Sequence, residues 1–246
     1  MENNIIKPGD KIDIRLIQQI SQNGNKVDEI RVYKSQVYDI YEGGELEISM
    51  PSQGGKIILL PLGVRFEFVF YSHGGLYRAE GTVKERFKKD NLYSLIVELS
   101  SQLEKFQRRE YYRLACTLDM KYYDITEKDA EQKTAEEVFD ELRSEMDIRE
   151  IEKDGTIVDI SGGGLRFVSK KENLSGCKIL VVVRLIGERM DKQFYLLGEI
   201  ISSETVLTEK ETKYENRVQF ILKDNKVREE IIRYVFDEER RMRSMR

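Results

Sequence analysis

Two short stretches of the chain carry the residue types that could do chemistry together. Residues 107–114 (QRREYYRL) hold Arg109 and Arg113 in an R-x-x-x-R spacing, with Arg108 in front. Residues 159–167 (DISGGGLRF) hold Asp159, Ser161 and Gly164 in a D-x-S-x-x-G spacing, with Gly162 and Gly163 inside it. A guanidinium grips phosphate oxygens through paired donors and also stacks on purine faces. A carboxylate and a hydroxyl can accept hydrogen bonds from N–H donors. Glycines let a backbone turn sharply and approach a ligand closely. Each motif alone has a plainer role. R-x-x-x-R can be a solvated arginine cluster beside a strand, and Asp, Ser and Gly are all turn formers. Their order and the apolar strands around them favour reading the two as halves of one site.

The elements that must position these residues are mostly strands. Residues 7–100 read as all-β. A turn at Lys7-Pro8-Gly9-Asp10 leads into KIDIRL, where Ile12, Ile14 and Leu16 alternate, and KVDEIRVY and SQVYDIY continue the pattern. Gly43-Gly44 precedes ELEISMP, with Leu46, Ile48 and Met50 alternating. Residues 51–55 turn again before KIILLPLG and VRFEFVFYS. Gly74-Gly75 then separates LYRAEGTVKERF, and a turn over residues 88–91 leads to LYSLIVELS. Short strands with regular turn signals predict a sandwich or barrel.

Residues 102–113 are polar and basic, with Phe106, Tyr111 and Tyr112 interleaved, and mark a boundary between domains 1–103 and 104–246. The second domain opens with RLACTLDMKYY. Residues 126–150 then break the β pattern. Thr134-x-x-Glu137 is a capping box, and Ala135, Val138, Phe139, Leu142 and Met146 follow at helical spacing. This predicts one inserted acidic helix, amphipathic and suited to cover a barrel. GTIVDIS, LRFVS, CKILVVVRLI, QFYLLGEIISSE and YENRVQFIL resume as strands. Residues 223–246 predict a closing helix, capped by Asp224 or Asn225, with Val227, Ile231, Tyr234 and Val235 on one face. Arg240, Arg241, Arg243 and Arg246 suit the negative end of its dipole. The fold class is therefore mainly β: two tandem barrel-like domains, the second with an inserted and a carboxy-terminal helix.

Composition excludes several functions. The 246 residues are 40% hydrophobic and 35% charged, and the net charge is only −4, so there is no global case for nucleic acid. No apolar run approaches the ~18 residues of a membrane span. The amino terminus MENNIIKPGD lacks the layout of a signal peptide. Cys116 and Cys177 are the only cysteines, which implies no disulfide framework and a cytoplasmic location. The single histidine, His73, lies in YSHGGLY and reads as an exposed turn residue. One histidine and two distant cysteines offer no zinc ligand set. P-loop, dinucleotide-binding and nucleophile-elbow motifs are lacking. The chain reads as a non-enzyme without metal or cofactor.

The two motifs, in this order, resemble the signature of PilZ domains, bacterial receptors for cyclic di-GMP. KPGDKIDIRL and the YKSQVYDI and YRAEGTV strands resemble the amino-terminal domain of YcgR-like flagellar brake proteins, which precedes a PilZ domain. The resemblance implies a ligand with two phosphates and two guanines. Arg108, Arg109 and Arg113 would hold the phosphates and stack on the guanines. Asp159 and Ser161 would contact a guanine edge, and Gly164, with Gly162 and Gly163, would permit the loop. It also implies regulation of flagellar motility through an interdomain rearrangement, with motor switch or stator proteins as partners and recruitment to the basal body. Two features depart from the family pattern. The acidic insertion lengthens the distance between the motifs, and Asn216-Arg217-Val218 stand where a glycine commonly precedes the aromatic of the last strand. Two other readings stand beside this one. An RNA-binding barrel is favoured by the basic, aromatic linker and the arginine tail, but opposed by net acidity. A PilZ-like scaffold without ligand is opposed by the intact motifs.

Overall fold

A computed structural model describes residues 5–17, 31–89, 92–145, 147–207 and 211–245. The strand expected over 26–30, the turn at 90–91, Met146 and Arg246 lie outside the described residues. The chain divides into two units, Met1–Arg108 and Arg109–Arg246.

The first unit contains β1 (Lys11–Leu16), β2 (Val32–Ile40), β3 (Leu46–Ser49), β4 (Ser52–Gln53), β5 (Lys56–Ile57), β6 (Arg65–Ser72), β7 (Gly75–Lys89), β8 (Leu92–Leu99) and β9 (Glu104–Lys105). The sheet runs β6-β1-β2-β3-β8-β7-β9, and β6 also pairs with β7, so six antiparallel strands close into a ring. Alternation places every second side chain inside. Ile12 and Ile14, Leu46 and Ile48, Phe66, Phe68 and Phe70, and Leu95 and Val97 form the core. The three phenylalanines line one inner face, with successive ring centroids 6.3 and 6.4 Å apart. His73 and Gly74 form the exposed two-residue link between β6 and β7.

One expected strand is largely not there. Within KIILLPLG only Lys56 and Ile57 pair, in a small hairpin with β4. Leu60 enters the core while Leu59 and Leu62 stay exposed. Pro61 lacks the N–H a ladder needs, and Gly63, at φ 71°, turns the chain away.

The second unit contains β10 (Leu114–Ile125), α1 (Glu127–Gln132), α2 (Ala135–Glu145), α3 (Ile148–Ile151), β11 (Lys153–Ser161), β12 (Gly164–Ser169), β13 (Lys178–Gly187), β14 (Met190–Leu207), β15 (Thr212–Phe220) and α4 (Asn225–Ser244). Its six strands form a closed barrel in the order β10-β11-β12-β15-β14-β13. Tyr122 and Phe167 meet inside it at 5.0 Å, surrounded by Ile157, Ile160, Val181 and Leu196.

The insertion holds three helices rather than the single one expected. α2 begins where the capping box puts it: the Glu137 N–H donates to Thr134 Oγ1 at 3.2 Å, and the Thr134 N–H donates to Glu137 Oε2 at 2.8 Å. α1 uses the same logic with a shorter acid, pairing Thr126 with Asp129, and Asp147 caps α3. Val138 and Phe139 of α2 pack on the barrel's outer face against Tyr123, Leu180, Leu197 and Tyr195. This explains the unbroken apolar run of β13. Ile179, Val181 and Val183 point inward, while Leu180 and Val182 point outward under α2. The insertion is therefore a cover for the barrel wall.

Asp224 caps α4 by accepting the Lys226 N–H at 2.8 Å. Ile231, Tyr234 and Val235 bury themselves in the barrel core cluster, as their spacing predicts. Asn216, the departure from the family pattern, is fully buried, yet its polar atoms are satisfied. Its amide donates to Ser169 Oγ and the Tyr214 carbonyl, both at 3.0 Å, and its carbonyl accepts from Asn173 at 3.1 Å. A buried amide is tolerated when partnered this way.

Candidate ligand-binding site

Strand register joins the two motifs. In the β10–β11 ladder Leu114 faces Ile160 and Ala115 faces Asp159. Arg113, one residue before Leu114, therefore emerges beside Ser161 at the same end of the barrel. In the β11–β12 hairpin Ser161 faces Gly164 and Asp159 faces Arg166, leaving Gly162 and Gly163 as a two-residue turn. The Ser161 hydroxyl donates to the Gly164 carbonyl at 3.1 Å and accepts the Gly163 N–H at 3.4 Å. Ser161 thus closes the turn locally, with one lone pair left for a ligand donor.

The glycines are needed for room rather than for torsion, because none of the three has a left-handed φ. A Cβ on Gly162 would lie 2.6 Å from Ile232 and 2.8 Å from the Tyr111 ring. A Cβ on Gly163 would lie 3.0 Å from the same ring, and one on Gly164 would overlap the Val218 carbonyl. The Tyr111 ring and α4 therefore lie directly on the turn.

Asp159 is held before any ligand arrives. Its side chain is 14% exposed and accepts from Arg166 Nε at 2.8 Å. Arg166 Nη1 reaches both oxygens of Glu215 at 3.0 Å. Nearby, burial first and the Asp159 charge second push the Cys116 thiol up to about 11. That thiol stays protonated and unreactive at neutral pH.

The arginines divide between the units. Arg113 is exposed and, among the described residues, has no carboxylate partner. Arg109 is exposed but engaged. Arg108 makes its contacts in the first unit. Its Nη1 lies 3.1 Å from Asp13 Oδ2, and its guanidinium lies 5.1 Å from the centre of the Tyr71 ring. The Tyr71 hydroxyl donates to the same carboxylate at 2.5 Å. Burial first, then that hydrogen bond, raises the Tyr71 pKa. So Arg113, Asp159, Ser161, Gly162, Gly163 and Gly164 come together at one end of the second barrel, while Arg108 is tied to Asp13 and Tyr71.

Three residues at this end escaped sequence reasoning. Arg166 lies two residues after Gly164 and fixes Asp159. Tyr111 lies inside R-x-x-x-R and covers the turn. Arg228, on α4, donates to the Tyr111 hydroxyl at 3.1 Å. Only the position of Arg228 beside the apolar stripe of α4 could have hinted at it. Tyr112 packs on Phe236 of α4, with ring centroids 6.3 Å apart. Its phenol pKa is raised chiefly by a hydrogen bond to Glu239.

A pinned carboxylate, a hydroxyl, a glycine turn and an arginine without a carboxylate partner among the described residues stand together, and their chemistry suits an anion with a donor-bearing edge. Residues 107–237, more than half the chain and spanning this whole arrangement, match the PilZ domain family. The chain belongs to the PilZ family. Residues 7–99 of this PilZ protein match a second family, described as flagellar protein YcgR. The structure of the Bacillus subtilis inhibitor of motility (MotI/DgrA) resembles it at 19% identity, covering 98% of this chain and 100% of that one, with a TM-score of 0.68. Escherichia coli YcgR in complex with c-di-GMP aligns at 18% identity over 95% of this chain and 86% of that one, with a TM-score of 0.45. No curated protein matches the chain. Among the described residues, no helix of this PilZ protein is long and apolar enough to cross a membrane.

Proposed function

We propose that this PilZ protein is a cytoplasmic cyclic di-GMP receptor, not an enzyme, and that it regulates flagellar motility. The observation that carries the reading is the β10–β11 register, which sets Arg113 beside the pinned Asp159 and the Ser161–Gly164 turn. Arg113 supplies a phosphate partner or a stacking face. Asp159 and Ser161 accept from a guanine edge, and Arg109 and Arg108 complete the phosphate grip. The match of residues 7–99 to the flagellar YcgR family supports the motility output, as does the fold shared with a motility inhibitor. The partners are then flagellar motor proteins, switch or stator, engaged at the basal body.

The regulatory step is ordering of the segment over residues 102–114, which rearranges the two units. In its support, the division between them falls between Arg108 and Arg109, inside the arginine run itself. A ligand shifts such an equilibrium only by its differential affinity for the two arrangements. The RNA-binding reading loses one of its supports, because Arg240, Arg241 and Arg243 of the tail pair with Asp237, Glu238 and Glu239 within α4. Isothermal titration calorimetry tests the reading. Cyclic di-GMP gives saturable heat, while GTP and cyclic AMP do not bind comparably. Absence of heat at high micromolar cyclic di-GMP refutes it.

A further inference from the structure

Arg228 is a half-buried arginine that touches no carboxylate directly. Among the described residues it has no carboxylate partner, whereas Arg166, Arg184 and Arg241 each have one. Its Nη1 donates to a neutral group, the Tyr111 hydroxyl, at 3.1 Å, and that hydroxyl donates to Glu110 Oε1 at 2.7 Å, which leaves the nearest carboxylate one group removed from the guanidinium. Its Nε is buried and makes no hydrogen bond. Its flat face lies 5.6 Å from the centre of the Tyr111 ring. Arginines are rarely withdrawn from water unless paired, because an uncompensated charge is costly to desolvate. A guanidinium in this state is suited to accept an anion from outside the chain.

Its position says which anion. Arg228 and Ile232 are four residues apart on α4 and share one face. Ile232 is the side chain a Cβ on Gly162 would strike, and the Tyr111 ring beneath Arg228 lies on Gly162 and Gly163. The 228/232 face of α4 is therefore laid along the glycine turn, next to Asp159 and Ser161. We infer that Arg228 is a ligand-binding residue of this site, contributed by α4, and that its guanidinium takes a phosphate oxygen of the cyclic dinucleotide. The inference rests on the cyclic di-GMP reading and adds a third element to the two sequence motifs. Exchanging a neutral hydroxyl for a phosphate oxygen sets an opposite charge against the guanidinium and opens the paired-donor geometry that Arg–phosphate contacts favour.

The test is a calorimetric double-mutant cycle on the full chain with cyclic di-GMP, using wild type, Arg228→Gln, Tyr111→Phe and the double variant. Removing one member of a buried charged pair lowers affinity by about 30-fold or more. Arg228→Gln is expected to show that loss, and the same loss is expected to persist in the Tyr111→Phe background. Arg228→Lys, which keeps the charge but not the forked donors, should fall in between. It also serves as the deciding variant if Arg228→Gln melts abnormally. Affinity within about threefold of wild type for both Arg228 variants overturns the inference and leaves the receptor reading intact. A loss in Arg228→Gln that vanishes once Tyr111 is Phe also overturns it, since Arg228 would then act only by holding Tyr111. No binding by wild type removes both readings together.

Discussion

Arg113 and Asp159 differ in what the fold already asks of them, and their variants should differ accordingly. Arg113 is exposed and has no carboxylate partner among the described residues, so the core does not depend on it. Arg113→Ala is expected to melt like wild type while losing about 2–5 kcal/mol of binding, some 30-fold to several-thousand-fold in affinity. A normally folded variant with wild-type affinity contradicts the assignment. Asp159 is bound to Arg166, but Arg166 keeps Glu215 when Asp159 is removed. Asp159→Ala should therefore fold and lose selectivity. Adenine lacks guanine's adjacent N1–H and 2-amino donors, the pair a carboxylate accepts on one edge, so discrimination against cyclic di-AMP should shrink. Paired titrations of the two dinucleotides measure this, and unchanged selectivity counts against the role.

At the scale of elements, α4 and the β11–β12 turn are one packed unit. Gly162 lets Ile232 and the Tyr111 ring reach the turn, and a methyl there would sit 2.6 Å from Ile232. Overpacking of this kind costs about 1–3 kcal/mol. Gly162→Ala is expected to lower thermal stability by that amount and to weaken ligand binding, because α4 and Tyr111 must both shift. Thermal melts followed by circular dichroism decide it. An unchanged melting temperature would mean that α4 yields freely and that the glycine is not kept for room.

For the whole molecule, the arginine run straddles the division between the units. Ligand should change the relation between them rather than the inside of either. Hydrogen exchange is expected to show new protection over residues 102–114 and 159–164, with little change in β8 (Leu92–Leu99), and small-angle scattering should differ with and without ligand. Protection rising evenly through both units, or identical scattering, would leave binding in place and remove the rearrangement. The Asp13 contact adds a second handle. If Arg108 takes part in the proposed phosphate grip, Asp13 competes with the ligand for it. Asp13→Asn should tighten binding by up to about fivefold, since an ion pair near the surface is worth at most about 1 kcal/mol. Weaker binding would show that Arg108 needs Asp13 to be positioned.

The sequence by itself determined the elements and the chemistry on offer. Period-two alternation in KIDIRL and RFEFVF, the Thr134–Glu137 capping box and the apolar stripe of α4 are signals written within a few residues, where local sterics and hydrogen bonding act. The same holds for the two motifs and the family they point to. Tertiary structure decided the partners. Periodicity tells which face is buried but not what covers it, so the pinning of Asp159 by Arg166 and Glu215 could not be read. Neither could the pairing of Arg108 with Asp13, 95 positions away, nor that of Arg228 with Tyr111, 117 positions away. The strand expected in KIILLPLG failed for a different, local reason, because Pro61 and Gly63, both visible in the sequence, deny the ladder that its apolar run suggested. The role of the glycine turn also changed between the two levels. In one dimension three glycines mean freedom of φ; in three they mean space for an aromatic ring, a helix and a neighbouring strand's carbonyl, which only packing can reveal.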